Sequence, residues 1–171
     1  MRVGLGFDSH RFDATRPLVL AGVHLPDAPG LAGHSDGDAI AHAVIDALLG
    51  AAGLGSIGQR FPDTDPAWAD ADSLDLLVRA MRWVEERNYQ VVNVDITVVT
   101  ERPRIAPHAD AMARRLAAPL RVSPEAVSIK GKSNEGMGWI GTGEGLAVLA
   151  VALLDRIGDI DALHASIRGG G

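Results

Sequence analysis

Five short apolar or alternating stretches lie along the chain, and the first four predict strands. The five stretches are residues 2–7, 17–25, 90–100, 127–130 and 146–154. The first stretch is expected to end in the tripeptide Asp-Ser-His that follows it, and the second predicts a short hairpin turning at the Ala-Gly pair at 21–22. The last stretch is apolar throughout, so its pattern fits a buried strand and a buried helix equally well. On the stretch 90–100, the predicted apolar face consists of Val92, Val94, Ile96 and Val98.

Apolar residues at helical spacing predict three helices between these strands. The first follows a loop over residues 26–33, begins at Ser35 as its N-cap and stops near residues 50–53. The second covers residues 73–88, and the third covers about residues 104–116.

Acidic residues and a histidine recur along the first predicted helix. Asp38, His42 and Asp46 are spaced by four residues, which places them on one side of the helix. A histidine between two acids has no packing role on a helix that is otherwise rich in Ala, Leu, Ile and Val. His34 precedes this helix, where free N–H groups attract anions such as phosphate. The stretch predicts a metal site, a phosphate site or both.

A second pair of metal-ligand residues lies at the end of the first predicted strand. Asp8 and His10 share one face, because alternate residues of a strand point the same way. Together with His42 they form a set of two nitrogen ligands and one oxygen ligand. Three such ligands with a free fourth position are typical of catalytic zinc. The alternative interpretation is a polar strand end in solvent.

Two polar loops carry further candidate chemistry. Residues 53–72 form a long loop rich in Gly, Pro and Asp, and a loop of this length is often functional, although its 61–65 segment also fits a simple series of turns. In a later glycine-rich loop, Lys132, Ser133 and Glu135 could together hold phosphate oxygens and a hydrated Mg²⁺.

Composition narrows the class of protein. The 171 residues suit one compact domain, and a hydrophobic share of 47% provides a core. The chain has no cysteine, which excludes disulfides and thiolate metal sites and favours a cytoplasmic location. We find no apolar signal segment and no run of membrane-spanning length. A net charge of −6 without a basic cluster argues against nucleic acid as a partner. A phosphate ligand would therefore need metal ions and a few placed donors.

The combined motifs resemble those of the 2-C-methyl-D-erythritol 2,4-cyclodiphosphate synthase family. The likeness runs from residue 1 to about residue 154. Its motifs are Asp8-Ser9-His10, His34-Ser35-Asp36-Gly37-Asp38 with His42, Phe61-Pro62-Asp63-Thr64-Asp65, Asn93-Val94-Asp95, Pro103 and Pro107, and Gly141-Thr142-Gly143-Glu144-Gly145.

The resemblance implies an α/β (α+β) fold, a single-domain two-layer sandwich of a mixed β-sheet and helices over residues 1–158. It implies a homotrimer with active sites between subunits, residues 146–154 as a strand near the three-fold axis, and a C-terminal tail over residues 159–171. The implied activity is that of a metal-dependent phosphorus–oxygen lyase of the non-mevalonate isoprenoid pathway. This enzyme cyclises 4-diphosphocytidyl-2-C-methyl-D-erythritol 2-phosphate to 2-C-methyl-D-erythritol 2,4-cyclodiphosphate and releases CMP.

The resemblance also implies roles by position. Residues 63–65 would hold the erythritol part, and backbone over residues 100–106 would bind cytosine. The implied catalytic residues are His34 and Ser133. The implied metal ligands are Asp8, His10 and His42 for Zn²⁺ or another divalent ion, and Glu135 for Mg²⁺ or Mn²⁺ between the substrate phosphates. The implied substrate-binding residues are Asp8, His10, His34, Ser35, Ser56, Ile57, Gly58, Phe61, Pro62, Asp63, Thr64, Asp65, Thr100, Glu101, Arg102, Pro103, Arg104, Ile105, Ala106, Lys132, Ser133, Asn134, Glu135, Trp139 and Thr142.

Several positions depart from the family pattern. Ser56 stands where an Asp commonly holds ribose, Lys132-Ser133 stands for Thr-Thr, Trp139 for Phe and Thr142 for Arg. The change at Thr142 argues against isoprenoid diphosphate binding in the trimer's central cavity. Two other function classes remain as alternatives: a metal-dependent phosphohydrolase that uses metal-bound hydroxide, and a non-catalytic trimer that binds metal or an isoprenoid diphosphate.

Overall fold

The computed structural model describes residues 1–68 and 71–158, and the predicted tail over 159–171 lies outside these residues. No helix in the described part is long and apolar enough to cross a membrane. The strands are β1 (Arg2–Leu20), β2 (Val23–Leu31), β3 (Tyr89–Val99), β4 (Val127–Lys132) and β5 (Gly145–Arg156). The α-helices are α1 (Ala39–Ala52), α2 (Ile57–Arg60), α3 (Ser73–Glu86), α4 (Ala109–Leu120) and α5 (Gly138–Gly141). Short 3₁₀ turns cover Pro66–Trp68, Ala106–His108 and Pro124–Ala126.

The strands form one mixed sheet in the order β2-β1-β5-β3-β4. β1 pairs antiparallel with β2 and β5, β5 pairs antiparallel with β3, and β3 runs parallel to β4. A parallel pair needs a crossover connection, which α4 provides. α1 packs on β1 and β5, α4 packs on β4, and α3 lies between these two helices. The predicted two-layer α+β fold is confirmed.

Two glycines allow α1 to lie directly on β1. A Cβ atom at Gly4 would come 2.0 Å from the carbonyl oxygen of Ala47, and one at Gly6 would come 1.9 Å from that of Ala43. No side chain fits at such separations, so the strand and the helix meet backbone to backbone. This contact fixes which residues of α1 stand opposite which residues of β1.

The opposite face of the sheet is apolar and exposed. On β1, the exposed fractions of Val3, Leu5 and Phe7 are 68%, 65% and 56%. On β5, those of Leu149 and Val151 are 38% and 40%. The residues that alternate with them on β5, such as Val148, Ala150 and Ala152, are buried on the side of the helices. This explains why residues 146–154, which form a strand, are apolar throughout.

Several element boundaries differ from the predictions. β1 does not end at His10 but continues to Leu20, and β2 covers most of the predicted loop over residues 26–33. The hairpin between them turns at residues 21–22 as predicted. α4 begins at Ala109, after a 3₁₀ turn, rather than at Arg104. Backbone pairing, which the side-chain pattern does not encode, extends the first two strands.

The start of α1 and the phase of β3 also differ. The N-cap of α1 is Asp38, not Ser35, because the Asp38 carboxylate accepts the N–H groups of Ile40 and Ala41. In β3 the pairing register shifts between Val91 and Asn93. As a result Val91 is buried, whereas Val92, which was predicted on the apolar face, is only half-buried.

Candidate active site

Asp8, His10 and His42 converge where α1 passes over β1. Asp8 and His10 share the face of Gly4 and Gly6, so they point at the helix. Atoms Nδ1 of His10 and Nδ1 of His42 lie 3.0 and 3.2 Å from Asp8 Oδ2. The potential ligand atoms of the three residues all lie within 4.8 Å of one another. The predicted strand-to-helix convergence therefore exists.

The three side chains fit a divalent metal ion. Two imidazole nitrogens and one carboxylate oxygen are ligands that zinc accepts, with a fourth position left for water or substrate. The Nδ1 atom of His10 is buried and makes no directed hydrogen bond to any described residue, although Asp8 is close. A buried nitrogen of this kind needs a partner, which an ion would provide. The group could hold a divalent metal ion.

The charges of this group are strongly coupled. Burial favours the neutral acid of Asp8, but its contacts with His10 and His42 outweigh burial and lower the pKa of its carboxyl to about 2. Burial disfavours the charged imidazole of His42, but the bond to Asp8 and the nearby carboxylates outweigh it and raise the pKa of His42. The carboxylate of Asp8 therefore favours the protonated form of His42 in the metal-free chain.

The second ring nitrogen of His42 faces two hydroxyl groups. Its Nε2 atom lies 3.0 Å from Ser35 Oγ and 3.0 Å from Ser73 Oγ. The Ser73 hydroxyl in turn donates to the carboxylate of Asp36. Sequence reasoning missed Ser73 and Asp36 as site residues. They lie 37 residues apart, and only the packing of α3 beside the loop before α1 brings them together.

A cavity of about 410 Å³ contains the metal-ligand group. Trp68 and Leu76 contribute to its wall and were not predicted. Four further predicted residues are next to lining residues in the chain but do not line the cavity themselves: Ser56, Pro62, Thr64 and Asp65. The predicted residues that line it are Asp8, His10, His34, Ser35, His42, Ile57, Gly58, Phe61 and Asp63.

Two charged side chains hold the loops around this cavity. The Arg16 guanidinium donates to the carbonyl oxygens of Gly33 and Ser35, on either side of His34. Asp46 accepts the N–H of Ile57 at 3.0 Å, which anchors the start of α2. Asp46 thus supports the site by holding α2 and does not belong to the metal-ligand group of the described residues.

A second cavity, of about 370 Å³, lies at the ends of β3 and β4. The Glu101 carboxylate accepts the N–H groups of Asn134 at 2.9 Å and Gly136 at 3.2 Å, which joins the two loops that form it. The Thr100 hydroxyl donates to the carbonyl of Arg102. The cavity is lined by Thr100, Glu101, Pro103, Arg104, Ile105, Ala106, Gly131, Lys132 and Ser133.

The remaining predicted residues lie near this second cavity or outside both. Glu135 accepts a hydrogen bond from the Ser133 hydroxyl at 2.7 Å, and it does not join the metal-ligand group of the described residues. Trp139 lines a smaller cavity whose wall includes His10, a residue that also lines the metal-side cavity. Thr142 donates to Glu144 at 2.9 Å.

The sheet register separates the two cavities. Asp8 pairs with Val148, Val148 pairs with Val98, and Val98 pairs with Gly131, so all four stand at one level across the sheet. Three strand spacings separate β1 from β4, about 14 Å. The metal-ligand group and the Lys132–Ser133 loop are therefore two distinct groups in one chain.

Comparison with known proteins identifies related sequences and structures. The family model described as YgbB family matches residues 1–155. The 2-C-methyl-D-erythritol 2,4-cyclodiphosphate synthase of Symbiobacterium thermophilum is 56% identical over 154 residues, which are 90% of this chain and 98% of that protein. The synthase of Gemmatimonas aurantiaca is 54% identical over 158 residues, 92% of this chain and 95% of that protein. A solved structure of such a synthase in its CDP-bound form has a TM-score of 0.82 and 40% identity, and the match covers 90% of this chain and 100% of that one.

Proposed function

The chain belongs to the YgbB family, and from this premise we infer that it is an enzyme of the non-mevalonate isoprenoid pathway. It cyclises 4-diphosphocytidyl-2-C-methyl-D-erythritol 2-phosphate to 2-C-methyl-D-erythritol 2,4-cyclodiphosphate and releases CMP. The observation that carries this assignment is the Asp8–His10–His42 group beside His34, in a chain 56% identical to a synthase of that name.

The reaction needs no protein nucleophile. An oxygen of the substrate's 2-phosphate attacks the β-phosphorus of the diphosphate, and the bond from that phosphorus to the CMP oxygen breaks. The chain's task is therefore to position the substrate and offset its charge. A divalent ion held by Asp8, His10 and His42 would polarise the phosphoryl group that reacts.

His34 and Ser133 are proposed to act on the phosphates directly. His34 lines the metal-side cavity on a loop held by Arg16, so its imidazole can donate to phosphate oxygens. Ser133 and Lys132 line the second cavity, where a hydroxyl and a cation can bind the diphosphate. Glu135, beside Ser133, is proposed to hold Mg²⁺ or Mn²⁺ between the phosphates.

The nucleotide is proposed to bind in the cavity at the ends of β3 and β4. Its wall over residues 100–106 offers backbone groups for the cytosine edge, and the CDP complex of a 40% identical synthase supports a cytidine ligand. The segment at 63–65, at the edge of the metal-side cavity, is proposed to hold the erythritol part.

The active enzyme is proposed to be a homotrimer with active sites between subunits. The exposed apolar face formed by Val3, Leu5, Phe7, Leu149 and Val151 supports this, because a face of this kind favours burial against another chain. The two separate groups of site residues support sites completed by a second subunit. The proposed cytoplasmic location rests on a composition without cysteine, which needs no oxidising compartment.

Phosphorus NMR of the purified protein with the diphosphocytidyl substrate and Mg²⁺ tests the proposed function. We expect a cyclic diphosphate and CMP from the wild type and neither from His42→Ala. His24→Ala is the matched control, because His24 is exposed on β2 and lines neither cavity. Metal-replete wild-type protein that releases no CMP would overturn the proposal.

The same sample separates cyclisation from hydrolysis by metal-bound hydroxide. Cyclisation in ¹⁸O-labelled water leaves both products free of label, because the nucleophile belongs to the substrate. A linear phosphate product that carries ¹⁸O would assign the chemistry to a hydrolase instead.

A further inference from the structure

Both ring nitrogens of His42 are engaged, and the partners of Nε2 lie outside the set of proposed ligands. We propose that Ser73 and Asp36 act as a positioning pair that keeps the Nε2 proton of His42 in place and leaves the Nδ1 lone pair for the metal. This inference rests on the proposed metal site of Asp8, His10 and His42.

The polarity of the hydrogen bonds carries the argument. The Ser73 hydroxyl donates to Asp36 Oδ1, and Asp36 Oδ2 accepts the Ser73 N–H at 3.0 Å. An ionised carboxylate only accepts, so the hydroxyl proton of Ser73 is committed to Asp36. The oxygen of that hydroxyl then presents a lone pair to His42 Nε2 at 3.0 Å. A neutral imidazole has one N–H, so with the proton on Nε2 its lone pair is on Nδ1, which faces Asp8.

The positioning pair is fixed in the protein. Ser73 is fully buried as the first residue of α3. Asp36 donates its own N–H to the carbonyl of Ala71 and accepts the N–H of Asp38 at 3.1 Å, so it is tied to the starts of both α3 and α1. The carboxylate therefore cannot turn away from Ser73 without breaking contacts at two helix starts.

Ser35, the other hydroxyl at Nε2, does not select the tautomer in the same way. Its oxygen accepts the N–H of Gly37 at 3.3 Å, and no carboxylate among the described residues takes its proton. The Ser35 hydroxyl can therefore donate to Nε2 or accept from it. Ser73, with its proton bound by Asp36, can only accept.

Removing the positioning pair should allow the competing tautomer. With Nε2 lacking this acceptor, the neutral ring can place its proton on Nδ1, where Asp8 Oδ2 lies at 3.2 Å and accepts it. A metal ion must then displace that proton. Loss of such an outer partner of a metal-binding histidine typically weakens metal affinity about 10- to 100-fold.

The first experiment measures the affinity for Zn²⁺ or Co²⁺ by competition with a chelator, without substrate. We expect Ser73→Ala to bind about 10- to 100-fold more weakly than the wild type. Asp72→Ala is the matched control, since it removes the N-cap of the same helix next to Ser73 but touches neither Asp36 nor His42. Unchanged affinity in Ser73→Ala, or an equal loss in Asp72→Ala, would overturn the proposal.

The second experiment observes the tautomer directly in ¹⁵N-labelled, chelator-treated protein, at a pH where His42 is neutral. Two-bond proton–nitrogen spectra should show the Nε2–H form in the wild type and an increased Nδ1–H form in Ser73→Ala. Asp36→Asn should shift the ring in the same direction, because its amide can donate to Ser73 Oγ. If Ser73→Ala shifts the tautomer of His42 and Asp36→Asn does not, the proposed role of Asp36 in the positioning pair is contradicted. A wild type that binds no metal would contradict the proposed metal site, and the tautomer would still decide this inference.

Discussion

A single oxygen atom of Asp8 approaches both histidines of the metal-ligand group. Asp8 Oδ2 lies 3.0 and 3.2 Å from the two Nδ1 atoms, and the imidazole ring centroids are 5.4 Å apart. A proton on His42 Nδ1 is therefore stabilised by the same carboxylate that would help to hold a metal. Proton and metal compete for one nitrogen, and this competition has a defined pH dependence.

We predict that metal-free protein loses stability as the pH rises above about 6.5. The contact with Asp8 raises the pKa of His42, so the stabilisation is complete below the unfolded value and is lost as the pH rises through the folded one. Asp36 and Asp38 lie near the same ring and act in the same direction as Asp8, and the His10 ring is its neighbour at 5.4 Å between centroids. The free energy of urea unfolding of chelator-treated protein, measured against pH, checks this.

Asp8→Asn is the control for that measurement, because it keeps the shape of the side chain and removes its charge. We expect its stability to fall less over the same range. Parallel profiles of the two proteins would contradict the coupling. The Zn²⁺ affinity of the wild type should change with the opposite sign and rise with pH, since the metal displaces the proton on Nδ1.

At the scale of elements, the contact between β1 and α1 positions the metal ligands. We predict that Gly6→Ala destabilises the protein by about 3 kcal/mol or more, because its Cβ would meet backbone of α1 that cannot move independently. The same displacement should separate His42 from Asp8 and weaken metal binding. Urea unfolding and metal titration measure the two effects.

The same helix offers a control. Gly50 lies in α1, is exposed, and a Cβ there would have no atom within 4 Å. Gly50→Ala should leave metal binding unchanged and stabilise the protein by about 0.5–1 kcal/mol through helix propensity. Equal effects of the two substitutions would mean that the close contact at Gly6 does not position the site.

Asp38 joins the hairpin to the start of α1. Its buried carboxylate accepts the N–H groups of Ala21, Gly22, Ile40 and Ala41 at 2.7–3.1 Å. Asp38→Ala should cost about 3 kcal/mol or more, since it removes a cap and leaves buried donors without partners. Asp72→Ala, which removes one exposed capping bond at α3, should cost about 1 kcal/mol in the same denaturation assay. Equal costs would contradict the role of Asp38 in joining the hairpin.

Asp38 also shows what the sequence could and could not predict about the elements. The sequence spacing predicted a helix with a polar start, but Ser35 and Asp38 are both good caps, and only the position of the hairpin decides between them. In the sequence Val92 continues the alternation of β3, but in the structure a register shift interrupts it. Periodicity locates elements, whereas tertiary contacts determine their ends and phase.

At the scale of the whole molecule, the predicted site residues fall into two groups. Residue chemistry and spacing pointed to Asp8, His10 and His42 in one group and to Lys132, Ser133 and Glu135 in the other. Most of the other predicted site residues followed from the family resemblance. Their separation by β5 and β3 depends on strand order, which the sequence alone does not specify. The positioning pair of Asp36 and Ser73 was missed for the same reason, because it exists only where α3 meets the loop before α1.

This separation leads to a prediction about assembly. If each active site combines the metal-ligand group of one subunit with the Lys132–Ser133 loop of another, two inactive variants can complement each other. His42→Ala and Glu135→Gln should each be inactive alone, and their coexpression should restore about one quarter of wild-type activity. That fraction follows because random pairing gives one intact combination in four.

CMP release is measured per active-site equivalent on the whole coexpressed pool, and differently tagged copies of the two variants show that hybrids have formed. The pool is not enriched for hybrids, because in the proposed trimer purified hybrids of the two variants would have one intact site in three rather than one in four. Wild type coexpressed with the double variant is the reference: it should retain about one quarter of full activity if sites are shared and about one half if each chain has its own site. Two inactive variants that stay inactive together, in hybrids shown to contain both chains, would mean that one chain builds the whole site. The exposed apolar face of β1 and β5 would then need another explanation, because it would no longer be the surface that brings the two groups together.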